Sequence, residues 1–165
     1  MIGLKWKHAG AALLLTFLSA CADPVSPIEP VGEASVATSD PTSWQITEIY
    51  WSDADSGRIN GERFRLSDID APETGGVGAA IGGAKCEKER ERGFDAKEFV
   101  VEFTRNKELR ITHTYGFDKM PEPRLLIDLS ADGEDVAQSG IDAGFLRPWL
   151  HDGTKALAAK PDWCE

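Results

Sequence analysis

Positive charge is in short supply in this sequence relative to negative. Its 165 residues carry 18 Lys and Arg against 28 Asp and Glu, a formal net charge of −10. Without residues 1–20, which hold Lys5 and Lys7, 16 basic side chains face 28 acidic ones and the balance falls to −12. Such a chain repels a polyanion at long range, which excludes nucleic-acid binding by charge alone. It does not exclude a site arranged locally around a metal ion, because a bound divalent cation reverses the local field. Long hydrophobic runs are missing too: the apolar stretch from Ala9 to Leu18 is too short to cross a bilayer as a permanent helix. The glycines between Thr74 and Lys85 are followed by no Gly-Lys-Ser/Thr, and Gly76-x-Gly78 lacks a third glycine. A phosphate cradle of that kind is excluded, and a mobile loop is expected. Repeats are absent, and His113 stands alone in a strand-like run, where a packed or half-exposed place is expected rather than catalysis.

The ends of the chain carry targeting and cross-linking signals. Lys5 and Lys7 ahead of the apolar run read as an export signal over residues 1–20. Leu18-Ser19-Ala20-Cys21 resembles a lipobox, in which Cys21 is acylated and anchors the protein to a membrane of the bacterial cell envelope, on its periplasmic or outer side. The alternative is ordinary cleavage at Ala20-Cys21-Ala22, which gives a secreted protein. Residues 21–43 then form a flexible tether with Pro24, Pro27, Pro30 and Pro41. The globular part spans residues 44–165 and holds two further cysteines, Cys86 and Cys164. In an oxidising compartment these two can pair.

Within the globular part, the run from Trp44 to Trp51 reads as a strand, and Asn60-Gly61 as a two-residue hairpin turn that needs φ > 0 at both positions. Glu87 to Arg105 is the clearest helix, with Ala96, Phe99, Val100 and Phe103 in one stripe and a solvated charge run over Glu87 to Arg92. Leu109 to Tyr115 and Arg124 to Leu129 read as strands, and Asp135 to Ala143 as a short helix softened by Gly140. Asp53 and Asp55 enter the hairpin while Arg65, Asp70 and Glu73 leave it. Closing the turn therefore gathers carboxylates and a guanidinium at one end of a small sheet, a set suited to a divalent metal and a phosphate.

Asp53-Ala54-Asp55-Ser56, Phe64-Arg65-Leu66, Asp70-Ala71-Pro72-Glu73 and a later strand-opening Arg124 follow one another in this order. The series resembles the thermonuclease, or staphylococcal nuclease-like, family, whose pattern is Asp-Gly-Asp-Thr, a hairpin, Phe/Ile-Arg-Leu, Asp-Thr/Ala-Pro-Glu and a second Arg. The likeness runs from about Trp44 to Cys164. It implies an α+β fold, a five-stranded OB-type Greek-key β-barrel with two to three packed helices. It also implies a Ca²⁺-dependent phosphodiesterase cutting DNA and RNA, single strands preferred, to 3′-phosphate products. By the same resemblance Asp55, Asp70 and the backbone oxygen of Ala71 are the metal ligands. Arg65 and Arg124 would grip the phosphate, and Glu73 would activate water. The chain is expected to be a monomer without a protein partner. It departs from the pattern at Asp118-Lys119-Met120-Pro121-Glu122-Pro123-Arg124, which lacks the usual Tyr, is two residues longer than usual and adds a carboxylate beside the presumed phosphate. A barrel that has lost turnover and serves as a binding or structural module is the competing expectation.

Overall fold

The computed structural model describes residues 40–152 and 155–165. The expected export signal, Cys21 and most of the expected tether lie outside the described residues. The end of the expected tether is folded: Pro41–Ser43 form a 3-10 turn, started by the Asp40 side chain accepting the Thr42 N–H at 2.9 Å.

Strand β1 covers only Ile49–Trp51, so the strand expected from Trp44 begins five residues later. The Asn60 side-chain oxygen accepts the Thr47 and Glu48 N–H groups, and the Asn60 amide donates to Gln45 O at 2.8 Å. The stretch before β1 is therefore hydrogen-bonded to a turn residue instead of to a strand. Strands β2 (Ser56–Ile59) and β3 (Glu62–Leu66) form the expected hairpin, with φ of 49° at Asn60 and 84° at Gly61. Two short strands, β4 (Ile69–Asp70) and β8 (Arg147–Pro148), pair antiparallel apart from the main sheet. After helix α1 (Glu87–Thr104) come β5 (Leu109–Phe117), β6 (Leu125–Ala131), β7 (Glu134–Asp135) and helix α2 (Val136–Asp142). The main sheet runs β1-β2-β3-β6-β5, with β7 on β6; β3 and β6 are parallel and the other pairs antiparallel. The architecture is α+β, a mixed sheet with two helices. It is not a closed barrel, because among the described residues β1 and β5 do not pair and remain the two edges.

Alternate residues of β6, Leu125, Ile127 and Leu129, are buried, and they meet Ile59, Phe64, Leu66, Trp51 and Val100 in one core. Trp51 stands edge-on to Phe64 with centroids 5.1 Å apart and donates its indole N–H to Thr104 Oγ1 at 3.2 Å. Helix α1 buries Glu89, Gly93, Ala96, Val100 and Thr104, a stripe displaced from the one read off the sequence. Phe99 and Phe103 sit at its margin, with Phe99 stacked on Phe145 at 4.9 Å. Glu89 belongs to the interior and not to a solvated charge run: it accepts the Lys85 N–H at 2.6 Å and closes the start of the helix. The Cys86–Cys164 disulfide ties the N-cap of α1 to the C-terminal tail across 78 residues.

Candidate active site

The two-residue turn fixes the register of the hairpin, and the register assembles the site. Ser56 pairs with Arg65, so Asp55, one residue earlier, lies at the open end of the hairpin, where its carbonyl accepts the Leu66 N–H at 2.8 Å. Arg65 Nη1 is 2.7 Å from Asp55 Oδ2, and Nη2 is 3.8 Å from Asp70 Oδ1 while donating to Ile69 O at 3.1 Å. Asp70 belongs to β4, held in place by Arg147 across the small sheet. Its side chain is 0% exposed. Oδ2 accepts the Trp163 indole N–H at 2.8 Å, whereas Oδ1 accepts no hydrogen bond and has Lys160 Nζ at 3.4 Å.

Glu73 completes the group. Its backbone rests on α1 at Gly93, where a Cβ would stand 2.5 Å from Glu73 O and 3.0 Å from Pro72 O, so only glycine lets this turn lie on the helix. Glu73 Oε1 accepts from Lys160 Nζ at 2.8 Å. Asp53 joins through Thr74, whose hydroxyl donates to Asp53 Oδ1 at 2.5 Å. The expected mobile loop beyond Glu73 is laced by backbone bonds, among them Gly75 N–H to Gly82 O at 3.0 Å and Gly78 N–H to Ala84 O at 2.9 Å.

Burial raises the pKa of Asp70 above the ordinary carboxylate value, and the Asp55 charge adds to it, against the Trp163 hydrogen bond and the Lys160 and Arg65 charges. Burial raises Glu73 in the same way, with Asp55 and Asp53 adding to it and Lys160 opposing. For Lys160 burial works against the charged form, but the hydrogen bond to Glu73 and the charges of Asp70 and Glu73 outweigh it and the pKa rises.

Thus Asp55, Arg65, Asp70 and Glu73 come together as the sequence suggested, with Ala71 buried next to Asp70. Arg124 does not join them. It opens β6 beside β3, but its Nε pairs with Asp118 Oδ2 at 2.8 Å and its N–H with Asp118 Oδ1 at 3.0 Å. Despite its burial, Asp118 is held below the usual carboxylate range by these hydrogen bonds and the Arg124 charge. Glu122, the carboxylate that the longer stretch adds, pairs with Arg63. His113 is exposed against Tyr115, beyond a register shift in β5. Sequence reasoning missed Lys160 and Trp163. The signal was Cys164: once it is pinned to the head of α1, its neighbours must lie near the turn that packs on the same helix.

Among the described residues no three His, Cys, Asp or Glu side chains form a metal-holding group. Asp55 and Asp70 nevertheless suit a hard cation, since Asp70 Oδ1 is a buried oxygen without a hydrogen bond and calcium takes backbone and water oxygens for most of its shell. Trp149, 6.0 Å from the Arg65 guanidinium and edge-on to His151, forms an aromatic margin next to this group. Set against known proteins, the chain matches no family model and no curated relative.

Proposed function

We propose that this protein is a Ca²⁺-dependent phosphodiesterase of the thermonuclease type, which hydrolyses DNA and RNA, preferring unpaired strands, to products with a 3′-phosphate. The observation that carries this reading is the meeting of Asp55, Arg65, Asp70 and Glu73 around one orphaned, buried carboxylate oxygen. We read the sheet order as an OB-type barrel left partly open, and the chain as a lipoprotein anchored to the envelope through Cys21.

In this reading Asp55, Asp70 and the Ala71 carbonyl hold Ca²⁺, which supplies Lewis-acid stabilisation of the phosphate charge when bound. Glu73 is the group that orients water and takes its proton; a carboxylate pKa raised by burial is better matched to neutral pH than an ordinary one. Arg65 presents a planar, permanently charged fork to the phosphoryl oxygens. Arg124 contributes only after leaving Asp118. The polyanion approaches against the net charge, so its encounter with the site is weak and salt-sensitive, quickening as added salt screens the repulsion, rather than steered.

One set of observations favours the second reading, a binding or structural module without turnover: Arg124 is taken by Asp118, and Lys160 neutralises Asp70 and Glu73. The two are separated by incubating the purified protein with heat-denatured DNA in Ca²⁺ or in a chelator, beside Glu73→Ala and Arg65→Ala. Cleavage that needs Ca²⁺ and both side chains is the expected result. No metal-dependent cleavage by the parent refutes the enzyme, and equal cleavage by all three proteins refutes the site.

A further inference from the structure

The acidic group already has a cation of its own. Lys160 lies 87 residues beyond Glu73, yet its Nζ is 2.8 Å from Glu73 Oε1 and 3.4 Å from Asp70 Oδ1. The tail that carries it is fixed at several points. Cys164 is bonded to Cys86, Arg92 Nη1 donates to Trp163 O at 2.7 Å, Trp163 Nε1 donates to Asp70 Oδ2 at 2.8 Å, and the Arg147 guanidinium lies 4.2 Å from the Trp163 ring centre. An ammonium on a free tail would spend most of its time in water. This one is returned to the same two carboxylates by a covalent staple four residues away, which keeps its effective concentration high.

We propose that Lys160 is a resident counter-ion of this site, held by Asp70 and Glu73 together and competing with a divalent cation for Asp70, and so setting the metal concentration at which the site loads. The inference rests on the metal-dependent reading above. Asp70 Oδ1 is the buried oxygen that no hydrogen bond satisfies, and the ammonium and the incoming ion both seek it. A divalent ion at Asp70 Oδ1 would meet the Lys160 ammonium, 3.4 Å from that oxygen, as a like charge in a buried setting, so loading drives Lys160 off Asp70. Its side chain is 32% exposed, enough for it to swing toward water. By linkage, whatever binding free energy Lys160 gains at the carboxylates is subtracted from that of the metal.

The test is calorimetric titration of Ca²⁺ into the oxidised parent protein, Lys160→Met and Lys160→Arg, repeated with Tb³⁺ luminescence excited through tryptophan. Circular dichroism melts establish that each variant is folded. Two partly buried ion pairs correspond to roughly a tenfold change in an equilibrium constant. The expected result is therefore about tenfold tighter binding in Lys160→Met, with Lys160→Arg near the parent because it keeps the charge. Binding by Lys160→Met alone supports the inference equally. Equal affinity in all three proteins, or weaker binding by Lys160→Met, overturns the inference and leaves the metal site standing. No binding of either ion by any of them overturns both.

Discussion

Gly93→Ala is a small change that neither adds nor removes a charge, and its effect separates positioning from stability. The added methyl would sit 2.5 Å from Glu73 O, 2.8 Å from Glu73 C and 3.0 Å from Pro72 O. All three are backbone atoms, so no rotamer change relieves the contact. Restoring ordinary van der Waals separation moves the Pro72–Glu73 turn away from α1 by about 1 Å. Overpacking of this kind costs about 1–3 kcal/mol, and the better helix propensity of alanine returns about 1 kcal/mol. Net destabilisation is then about 0–2 kcal/mol, read by urea unfolding. On the proposed nuclease reading the displacement weighs more on the chemistry: Glu73 shifts relative to Asp70 and Arg65, and a misplacement of about 1 Å would lower turnover by roughly 100-fold. Cleavage of denatured DNA in Ca²⁺ should thus fall far more than the stability does. A Gly93→Ala protein that cleaves and melts like the parent would refute the argument, because the turn would then not be resting on the helix.

Arg65→Met leaves the buried Asp55 and Asp70 without their shared cation and should destabilise the fold by about 3–5 kcal/mol at neutral pH, measured by denaturant unfolding, with Arg65→Lys recovering part of it. The pKa values of Asp70 and Glu73 are raised, so between the ordinary and the raised values the folded state holds more protons than the unfolded one. Stability should therefore rise as pH falls from neutral through that window, and Asp70→Asn should flatten the dependence in unfolding curves taken across it. Asp118 acts in the opposite sense, since its pKa is lowered: its contribution is present above its ordinary value of 3.8 and is lost as pH falls below it, a loss absent from Asp118→Asn. Reducing the Cys86–Cys164 bond releases a 78-residue loop and should lower stability by on the order of 4 kcal/mol, read as a lower unfolding midpoint in reductant.

Local chemistry made the hairpin legible. Asn60 and Gly61 announce the turn, and the turn sets which residue faces which, so the proximity of Asp55 and Arg65 followed directly. The long helix was legible from its period, but not its buried face, because Gly93 and Glu89 are not apolar and only the packing of the Pro72–Glu73 turn and the closure at Lys85 make them interior residues. Gly140 shows the same limit. It reads as a weak point in α2, yet a Cβ there would stand 2.5 Å from Leu146 Cδ1, and its absence is what seats Leu146 in the core. The start of β1 was misjudged since Trp44 to Glu48 has strand-like composition, while Asn60, on the far side of the turn, captures its backbone groups. Closure of the sheet into a barrel depends on edges far apart in sequence, and no local pattern specifies it.

The staple between Cys86 and Cys164 also imposes an order in time. A growing chain displays Asp55, Arg65, Asp70 and Glu73 while Lys160 and Trp163 are still unmade, 87 and 90 positions past Glu73. At about 5–20 residues per second the interval is roughly 4–17 s. Throughout it Asp70 lacks the indole that satisfies Oδ2 in the folded protein, and until Arg147 is made it lacks the strand that pairs with β4 as well, so the site is among the last parts of the fold that can close.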